Sequence, residues 1–174
     1  MKNNDISTSL VALGGLGEVG KNMYVITHDD EIIIIDAGVM FPEDELLGVD
    51  YVIQDITYLK KNEDKIKCLI ITHGHEDHIG GIPFLVNAVN IPKIYSPRIA
   101  ADLINKKFEE RNIGYKNIEI ITNDTLIETK HFKIEFINTT HSIPDSFAIA
   151  ITTPNGVIFE TGDYKFDLTP IGPI

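Results

Sequence analysis

A dense group of metal-ligand side chains constrains this chain more than any other feature. Residues 72–78 read THGHEDH, and they come directly after the apolar run 68–71. Such a run has the composition of a buried strand, so the sequence predicts that the group lies in the loop at a strand's end. A rigid sheet can hold several ligands there at fixed angles while one side stays open to a substrate, as a catalytic metal centre requires.

The spacing within this group predicts two ions rather than one. His73 and His75 can both point at one ion from a short turn, whereas Asp77 and His78 lie a step further on and face a different point. Two ions about 3.5–4 Å apart are the usual equipment for hydrolysing phosphate esters or amides. The alternative is a solvated polar loop, which is disfavoured because three histidines and an acid at this spacing rarely occur by accident.

Three further strand ends carry candidate residues. Asp36 follows the apolar run 32–35. It is predicted either to form a turn or to orient a ligand histidine, because metal-bound imidazoles need a partner on the other ring nitrogen. His141 ends an alternating strand and is the predicted third imidazole of the first ion. Asp163 follows the predicted strand 157–159 and is suited to bridge two cations.

Length and charge narrow the functional classes. At 174 residues with 43% hydrophobic side chains, the chain fits one globular domain. The formal net charge of −11 would repel a polyanion, which counts against nucleic acid as a partner of this chain alone. No apolar run approaches the roughly 20 residues that span a bilayer, and residues 1–5 do not begin a signal peptide. We therefore expect no membrane association and a cytoplasmic location, with the single cysteine, Cys68, buried in a strand.

A glycine-rich loop follows the first predicted strand, 7–13. It contains Gly15, Gly17 and Gly20 at the spacing of a dinucleotide-binding fingerprint, with Asp36 near the place of its ribose-binding acid. The next run, 22–27, is short and β-rich rather than a helix of several turns. We therefore predict a β-hairpin with a tight glycine loop near the active site, no dinucleotide cofactor, and His28 as a solvated turn residue.

Helical and strand patterns fill the rest of the chain. Ser96 as N-cap and Pro97 at the first position predict a helix that Gly114 closes. Its basic residues are predicted to form a solvated face rather than an RNA patch, and they are Lys106, Lys107 and Arg111. His131 is expected at the surface. The remaining predictions are weaker helices at 55–64 and 79–89, an acidic loop at 41–45, antiparallel strands at 118–121, 125–129 and 132–138, a hairpin of 148–152 with 157–159, and a linker at 167–174.

Several motifs beyond the metal ligands resemble one family. They are GGLGEVGKN at 14–22, FP at 41–42, LGVD at 47–50, HSIPDS at 141–146 and TGDYKFD at 161–167. In this order the chain resembles the bacterial ribonuclease J family, in the β-CASP branch of the metallo-β-lactamase superfamily, over nearly its whole length. The resemblance implies an α/β (α+β) fold, the metallo-β-lactamase αββα sandwich, and a nuclease that cleaves RNA internally and from the 5′ end by a metal-activated water.

The same resemblance implies a ligand set. His73, His75 and His141 would hold one ion, Asp77 and His78 the other, and Asp163 would bridge, with Asp77 and Asp163 as the catalytic residues and Asp36 orienting a ligand. Zinc is favoured by the number of imidazoles, with manganese or magnesium as alternatives at the second position.

The chain departs from the family pattern after the Asp163 motif. Family members continue into a β-CASP domain and then complete the sandwich, adding a last histidine to the second ion. Residues 1–174 are therefore expected to be the N-terminal part of a metallo-β-lactamase domain, incomplete at the C-terminal side and weakly active or inactive alone. RNA binding, and a homo-oligomer or a complex with a paralogue, are expected of the full-length protein.

Two other functions remain open on sequence alone. A small metallo-hydrolase of thioesters, lactones or β-lactams would share the metal motif, but residues 141–146 and 162–167 favour the nuclease. A non-catalytic scaffold subunit of an RNA-degradation complex would be expected to lose ligands, whereas every ligand position that the chain reaches is filled.

Overall fold

The computed structural model of this protein describes residues 6–42 and 47–167 and places the strands in two sheets. The first sheet contains, in order, β1 (Ser9–Gly14), β2 (Met23–His28), β3 (Glu31–Ile35), β4 (Ile66–Ile70), β5 (Ile94–Ser96) and β6 (Ile118–Ile120). The second has the order β10 (Gly156–Glu160), β9 (Ser146–Thr153), β8 (Lys133–Thr139) and β7 (Leu126–Glu128). The predicted acidic residues 43–45, residues 1–5 and positions 168–174 of the predicted linker lie outside the described ranges.

The apolar run of β3 is buried on both faces of the first sheet. Ile32 and Ile34 pack with the helices, while Ile33 and Ile35 pack against the second sheet, because successive strand residues point to opposite faces. The helices are α1 (Thr57–Lys61), α2 (Glu76–Ile79), α3 (Ile82–Ala88) and α4 (Arg98–Glu110), with a short 3-10 helix at Glu63–Lys65. Cys68 is buried between the sheets, as predicted. The layers are thus helices, sheet and sheet.

The prediction that residues 118–121 form an antiparallel strand beside 125–129 was wrong. This segment forms β6, which pairs in parallel with β5 in the first sheet, rather than antiparallel with β7 in the second. The helix α4 connects β5 to β6 and makes this crossover, which parallel neighbours require. An alternating pattern predicts a strand but carries no information about its neighbour.

The predicted helices are shorter than expected. Ser96 ends β5 and pairs with Ile120, so it cannot cap α4, whose N-cap is Pro97. The helix ends at Glu110, and Asn112 rather than Gly114 takes the left-handed backbone conformation after it, with φ of 55°. Of the predicted helix 79–89, residues 82–88 form α3, while Ile79 is the last residue of α2 and two glycines separate the two helices.

A polar clamp joins the two sheets at the end where β3 begins. Glu31, only 4% exposed, accepts hydrogen bonds from the Thr129 hydroxyl (2.6 Å) and from the backbone N–H groups of His131 (3.0 Å) and Lys130 (3.3 Å). It therefore fixes the β2–β3 turn to the β7–β8 turn.

Two histidines near this clamp, His28 and His131, are less exposed than the sequence predicts. His28 is 5% exposed rather than solvated, with Nδ1 2.9 Å from the Thr8 hydroxyl. The His131 ring lies 4.8 Å from that of His28 and is mostly covered, with Nε2 2.9 Å from Asp30 Oδ1. Both predictions were wrong because the covering turn comes from the opposite sheet, which local sequence does not show.

Glu31→Ala is expected to lower the free energy of unfolding by about 2–4 kcal/mol, because it leaves a hydroxyl and two backbone N–H groups without their acceptor. Glu135→Ala, on the exposed face of β8, is the matched control and should change it by less than about 0.5 kcal/mol. Urea unfolding of both variants measures the difference.

The contribution of Glu31 also depends on pH. Burial acts to raise the pKa of Glu31, but its hydrogen bonds with Thr129, His131 and Lys130 outweigh burial and lower it below the ordinary 4.5. The stabilisation is therefore present above pH 4.5 and lost as the pH falls through the folded-state pKa. An equal acid dependence of unfolding in the wild type and Glu31→Gln would contradict this assignment.

Candidate metal centre

The candidate ligands meet where strands of both sheets end. Parallel strands β3 and β4 finish at the same edge, so Asp36 after β3 lies beside the 72–78 loop after β4. His141 follows β8 and Asp163 follows β10, at the same end of the second sheet. The structure therefore brings together every candidate ligand that the sequence analysis named.

The first group consists of three imidazoles and a carboxylate. His75 Nδ1 lies 3.1 Å from His73 Nε2 and 3.2 Å from His141 Nε2. Asp163 Oδ2 lies 3.5 Å from His141 Nε2 and 3.9 Å from His73 Nε2. Zinc–nitrogen bonds of about 2.0–2.1 Å in tetrahedral geometry place ligand nitrogens about 3.4 Å apart. The spacing of the three imidazoles thus fits one tetrahedral ion.

The second group shares Asp163 with the first. His78 Nε2 lies 3.5 Å from Asp77 Oδ2 and 3.6 Å from Asp163 Oδ1. The two oxygens of Asp163 therefore face different groups, Oδ1 toward His78 and Oδ2 toward His73 and His141. In each group the ligand atoms all lie within 4.8 Å of one another. This donor set of imidazoles and carboxylates suits divalent cations.

Asp36 orients the ring of His78 directly and that of His73 through the Thr72 hydroxyl. This carboxylate is 2% exposed and lies 2.7 Å from His78 Nδ1. It also accepts hydrogen bonds from the Thr72 backbone N–H (2.9 Å) and hydroxyl (2.8 Å). Because that hydroxyl donates to Asp36, it accepts from His73 Nδ1 at 3.0 Å. In both rings the Nε2 atom is therefore the one that faces the candidate ligand groups.

Burial and neighbouring carboxylates shift the pKa values of the ligand histidines in opposite directions in the metal-free chain. Burial lowers the pKa of His73 to about 3, so its ring is neutral. Burial acts in the same direction on His78, but the carboxylates of Asp36, Asp163 and Asp77 outweigh it and raise the pKa of His78 to about 10. The hydrogen bond with His78 lowers the pKa of Asp163 to about 2. A cation bound at His78 Nε2 must therefore displace a proton.

A cavity of about 400 Å³ opens beside the second group. Its lining includes Glu18, Asn22, Tyr24 and Glu160, together with the glycine loop, which lies next to the site as predicted. Burial, and then the charge of Asp36, raises the pKa of the Glu160 carboxyl. Neither Asn22 nor Glu160 is predicted from the sequence as a site residue. Asn22 ends the GGLGEVGKN motif, which was the available signal for it.

The basic face of α4 is only partly solvated. Lys106 is exposed as predicted, whereas Lys107 forms an ion pair with Glu76, beside the ligands. The guanidinium of Arg111 lies 4.7 Å from the ring centre of Phe84 and 5.9 Å from that of Tyr51. The prediction of a solvated face was wrong for Lys107, because Glu76 of α2 lies beside it, whereas Arg111 is exposed as predicted.

Comparison with known sequences decides the family. A sequence profile of the metallo-β-lactamase superfamily matches residues 16–166. The chain belongs to the metallo-β-lactamase superfamily. Among superfamily members it is 53% identical to ribonuclease J of Mycoplasma pneumoniae over 95% of its own length, 51% identical to ribonuclease J 1 of Streptococcus pyogenes over 99%, and 47% identical to ribonuclease J of Synechocystis over 93%. It spans only 29%, 30% and 26% of those relatives, respectively.

Solved structures show the same superfamily fold. A protein of unknown function from Enterococcus faecalis matches with a TM-score of 0.70 at 15% identity, over 91% of this chain and 44% of its own. The metallo-β-lactamase fold protein YhfI of Bacillus subtilis matches with a TM-score of 0.62 at 19% identity, over 92% of this chain and 64% of its own. The predicted fold class is confirmed. Within residues 6–42 and 47–167, no helix has the length and apolar character needed to cross a membrane.

Asp36→Asn is expected to lower the pKa of His78 and to destabilise the metal-free chain by about 2 kcal/mol, because an amide replaces a charged acceptor. The raised folded-state pKa of His78 means that this stabilisation is present below pH 6.5 and lost as the pH rises through about 10. NMR titration of His78 and urea unfolding between pH 6 and 10 measure both effects.

The exposed turn residue Asp124 provides the control for that experiment. Asp124→Asn should leave both the His78 titration and its stability profile unchanged. A His78 pKa that stays near 10 in Asp36→Asn would show that Asp36 does not set the charge of this ring.

Proposed function

We propose that this chain is the metal-binding part of a ribonuclease that hydrolyses RNA phosphodiesters with two divalent ions. The observation that carries the proposal is the pair of adjacent ligand groups joined by Asp163, each with its donor atoms within 4.8 Å. Two neighbouring ions sharing a carboxylate are the arrangement used for in-line displacement at phosphorus.

In this proposal the imidazoles of His73, His75 and His141 hold the first ion, zinc. Asp77 and His78 hold the second, which is zinc, manganese or magnesium, and Asp163 contacts both. When bound, such ions supply a nucleophile at neutral pH and neutralise the charge that develops on the phosphoryl oxygens.

The chain's own residues hold this centre in its working state. Asp36 and Thr72 fix the rings of His78 and His73, so that their Nε2 atoms stay directed at the ions. The Asp163 side chain is 46% exposed, and its pKa of about 2 keeps it ionised at neutral pH. In this proposal Asp163 and Asp77 are the carboxylates that accept a hydrogen bond from an attacking water.

RNA is proposed as the substrate because the relatives that match at 47–53% identity are named ribonuclease J. The resemblance further supports both internal and 5′-to-3′ cleavage by the longer protein, acting in the cytoplasm as a homo-oligomer or a complex with a paralogue. With a net charge of −11, this chain would repel RNA by itself. The RNA-binding surface is therefore assigned to other parts of the longer protein.

The second sheet supports the proposal that residues 1–174 are the N-terminal part of a larger metallo-β-lactamase domain. Its outer face exposes the large side chains of Ile137, Val157 and Phe159. Tyr164 and Phe166 extend this apolar surface around a cavity of about 360 Å³. An apolar face of this kind marks a contact with a further layer, supplied in this proposal by the part of the protein that includes the β-CASP domain.

Metal content is the first test. Elemental analysis of the purified chain should find bound zinc, and His75→Ala should lose it, because His75 Nδ1 is the atom nearest both other imidazoles. His28→Ala is the control, since His28 ends β2 at the other end of the sandwich and belongs to none of the candidate ligand groups among the described residues. Full zinc content in His75→Ala would contradict the proposed centre.

Activity is the second test. The 174-residue chain should cleave RNA weakly or not at all. In the longer protein, Asp163→Asn should lower the rate of RNA cleavage by more than the factor of about 10 to 100 that is typical when a residue supporting a metal ligand is changed. Strong RNA cleavage by the chain alone that disappears in His75→Ala would contradict the proposed division of labour. Rapid hydrolysis of thioester, lactone or β-lactam substrates would instead favour a small-molecule hydrolase.

A further inference from the structure

The glycine loop between β1 and β2 has an unusual backbone conformation. Gly15, Gly17 and Gly20 all have positive φ angles, of 90°, 72° and 105°. The loop ends at Asn22, whose side chain points at the second ligand group.

Asn22 contacts both residues of that group. Its backbone N–H donates to the Asp77 carbonyl at 3.0 Å, and its side-chain amide nitrogen donates to the same carbonyl at 3.1 Å. The amide nitrogen also lies 3.3 Å from Asp77 Oδ2 and 3.1 Å from His78 Nε2. These last two are the atoms assigned above to the second ion. One amide therefore touches the backbone and the donor atoms of the pair.

The absence of a side chain at Gly15 leaves room for the Asn22 amide. A Cβ atom at Gly15 would lie 2.4 Å from Asn22 Oδ1, well inside van der Waals contact. A Cβ atom at Gly17 would meet nothing within 4 Å. Both glycines have left-handed backbones, so both resist substitution, but only Gly15 shapes the space that Asn22 occupies.

We propose that Asn22 is a positioning residue that holds Asp77 and His78 at the spacing of metal ligands. Gly15, which has no side chain, leaves the space that the Asn22 amide occupies. The inference rests on the proposed two-ion function. The amide nitrogen donates to the Asp77 carbonyl and to Asp77 Oδ2, and these bonds restrain the turn that carries both donor atoms, 3.5 Å apart, before an ion arrives. Ligands held in place beforehand need less reorganisation on binding.

The test compares two matched pairs of variants in zinc titrations against a chromophoric chelator. Asn22→Ala should weaken the second zinc constant by about 10- to 100-fold, the size of other outer-shell effects, and leave the first within about 3-fold. Asn62→Ala is its control, because that amide makes one hydrogen bond, to the Tyr58 carbonyl on α1. Gly15→Ala should reproduce the loss and Gly17→Ala should not, although both glycines have positive φ angles.

The selective effect on the second constant separates positioning from general stability, which would lower both constants. Equal effects of Gly15→Ala and Gly17→Ala, or an unchanged second constant in Asn22→Ala, would overturn the inference. A wild-type chain that binds only one zinc would also overturn it, while the first ion of the proposed function would stand. A wild-type chain that binds no zinc would overturn the proposed function itself.

Discussion

The buried carboxylate of Asp36 is the interaction on which the site depends. It lies at the end of β3, under the 72–78 loop, and accepts hydrogen bonds from Thr72 and His78. A buried anion is costly unless hydrogen bonds and a counter-charge compensate it. Here the compensation comes from the ligand loop itself, so correct folding of the loop and correct orientation of its histidines are the same event.

Burial of the two sheets supplies the rigidity around this carboxylate. The alternate faces of β3 and β4 are packed on helices and on the second sheet, which leaves the strand ends little freedom. At the other end, Glu31 ties the turns of both sheets together through three hydrogen bonds. The site thus occupies one end of a sandwich whose opposite end is closed by polar contacts.

The sequence predicts the parts of the structure that depend on local pattern. Period-two and continuous apolar runs located most strands, and the order of strand-end acids and histidines located Asp36, His141 and Asp163 beside the 72–78 loop. Whether they bind metal stays a prediction. The partner of β6, the burial of His28 and the contacts of Asn22 could not be predicted. Each depends on which distant segment lies next to the residue, and that is decided by packing of the whole chain.

Gly38 has a consequence beyond its own turn. A Cβ atom there would lie 1.5 Å from the Asp77 carbonyl oxygen. The backbone N–H groups of Ala37 and Val39 donate hydrogen bonds to the carbonyls of His78 and Glu76, respectively. The ligand-bearing turn is therefore held by main-chain contacts in addition to the side chains of Asp36 and Asn22. Side chains around the cleft can then diverge during evolution without moving the ligands. Such a scaffold allows one constellation of donor atoms to serve many different substrates.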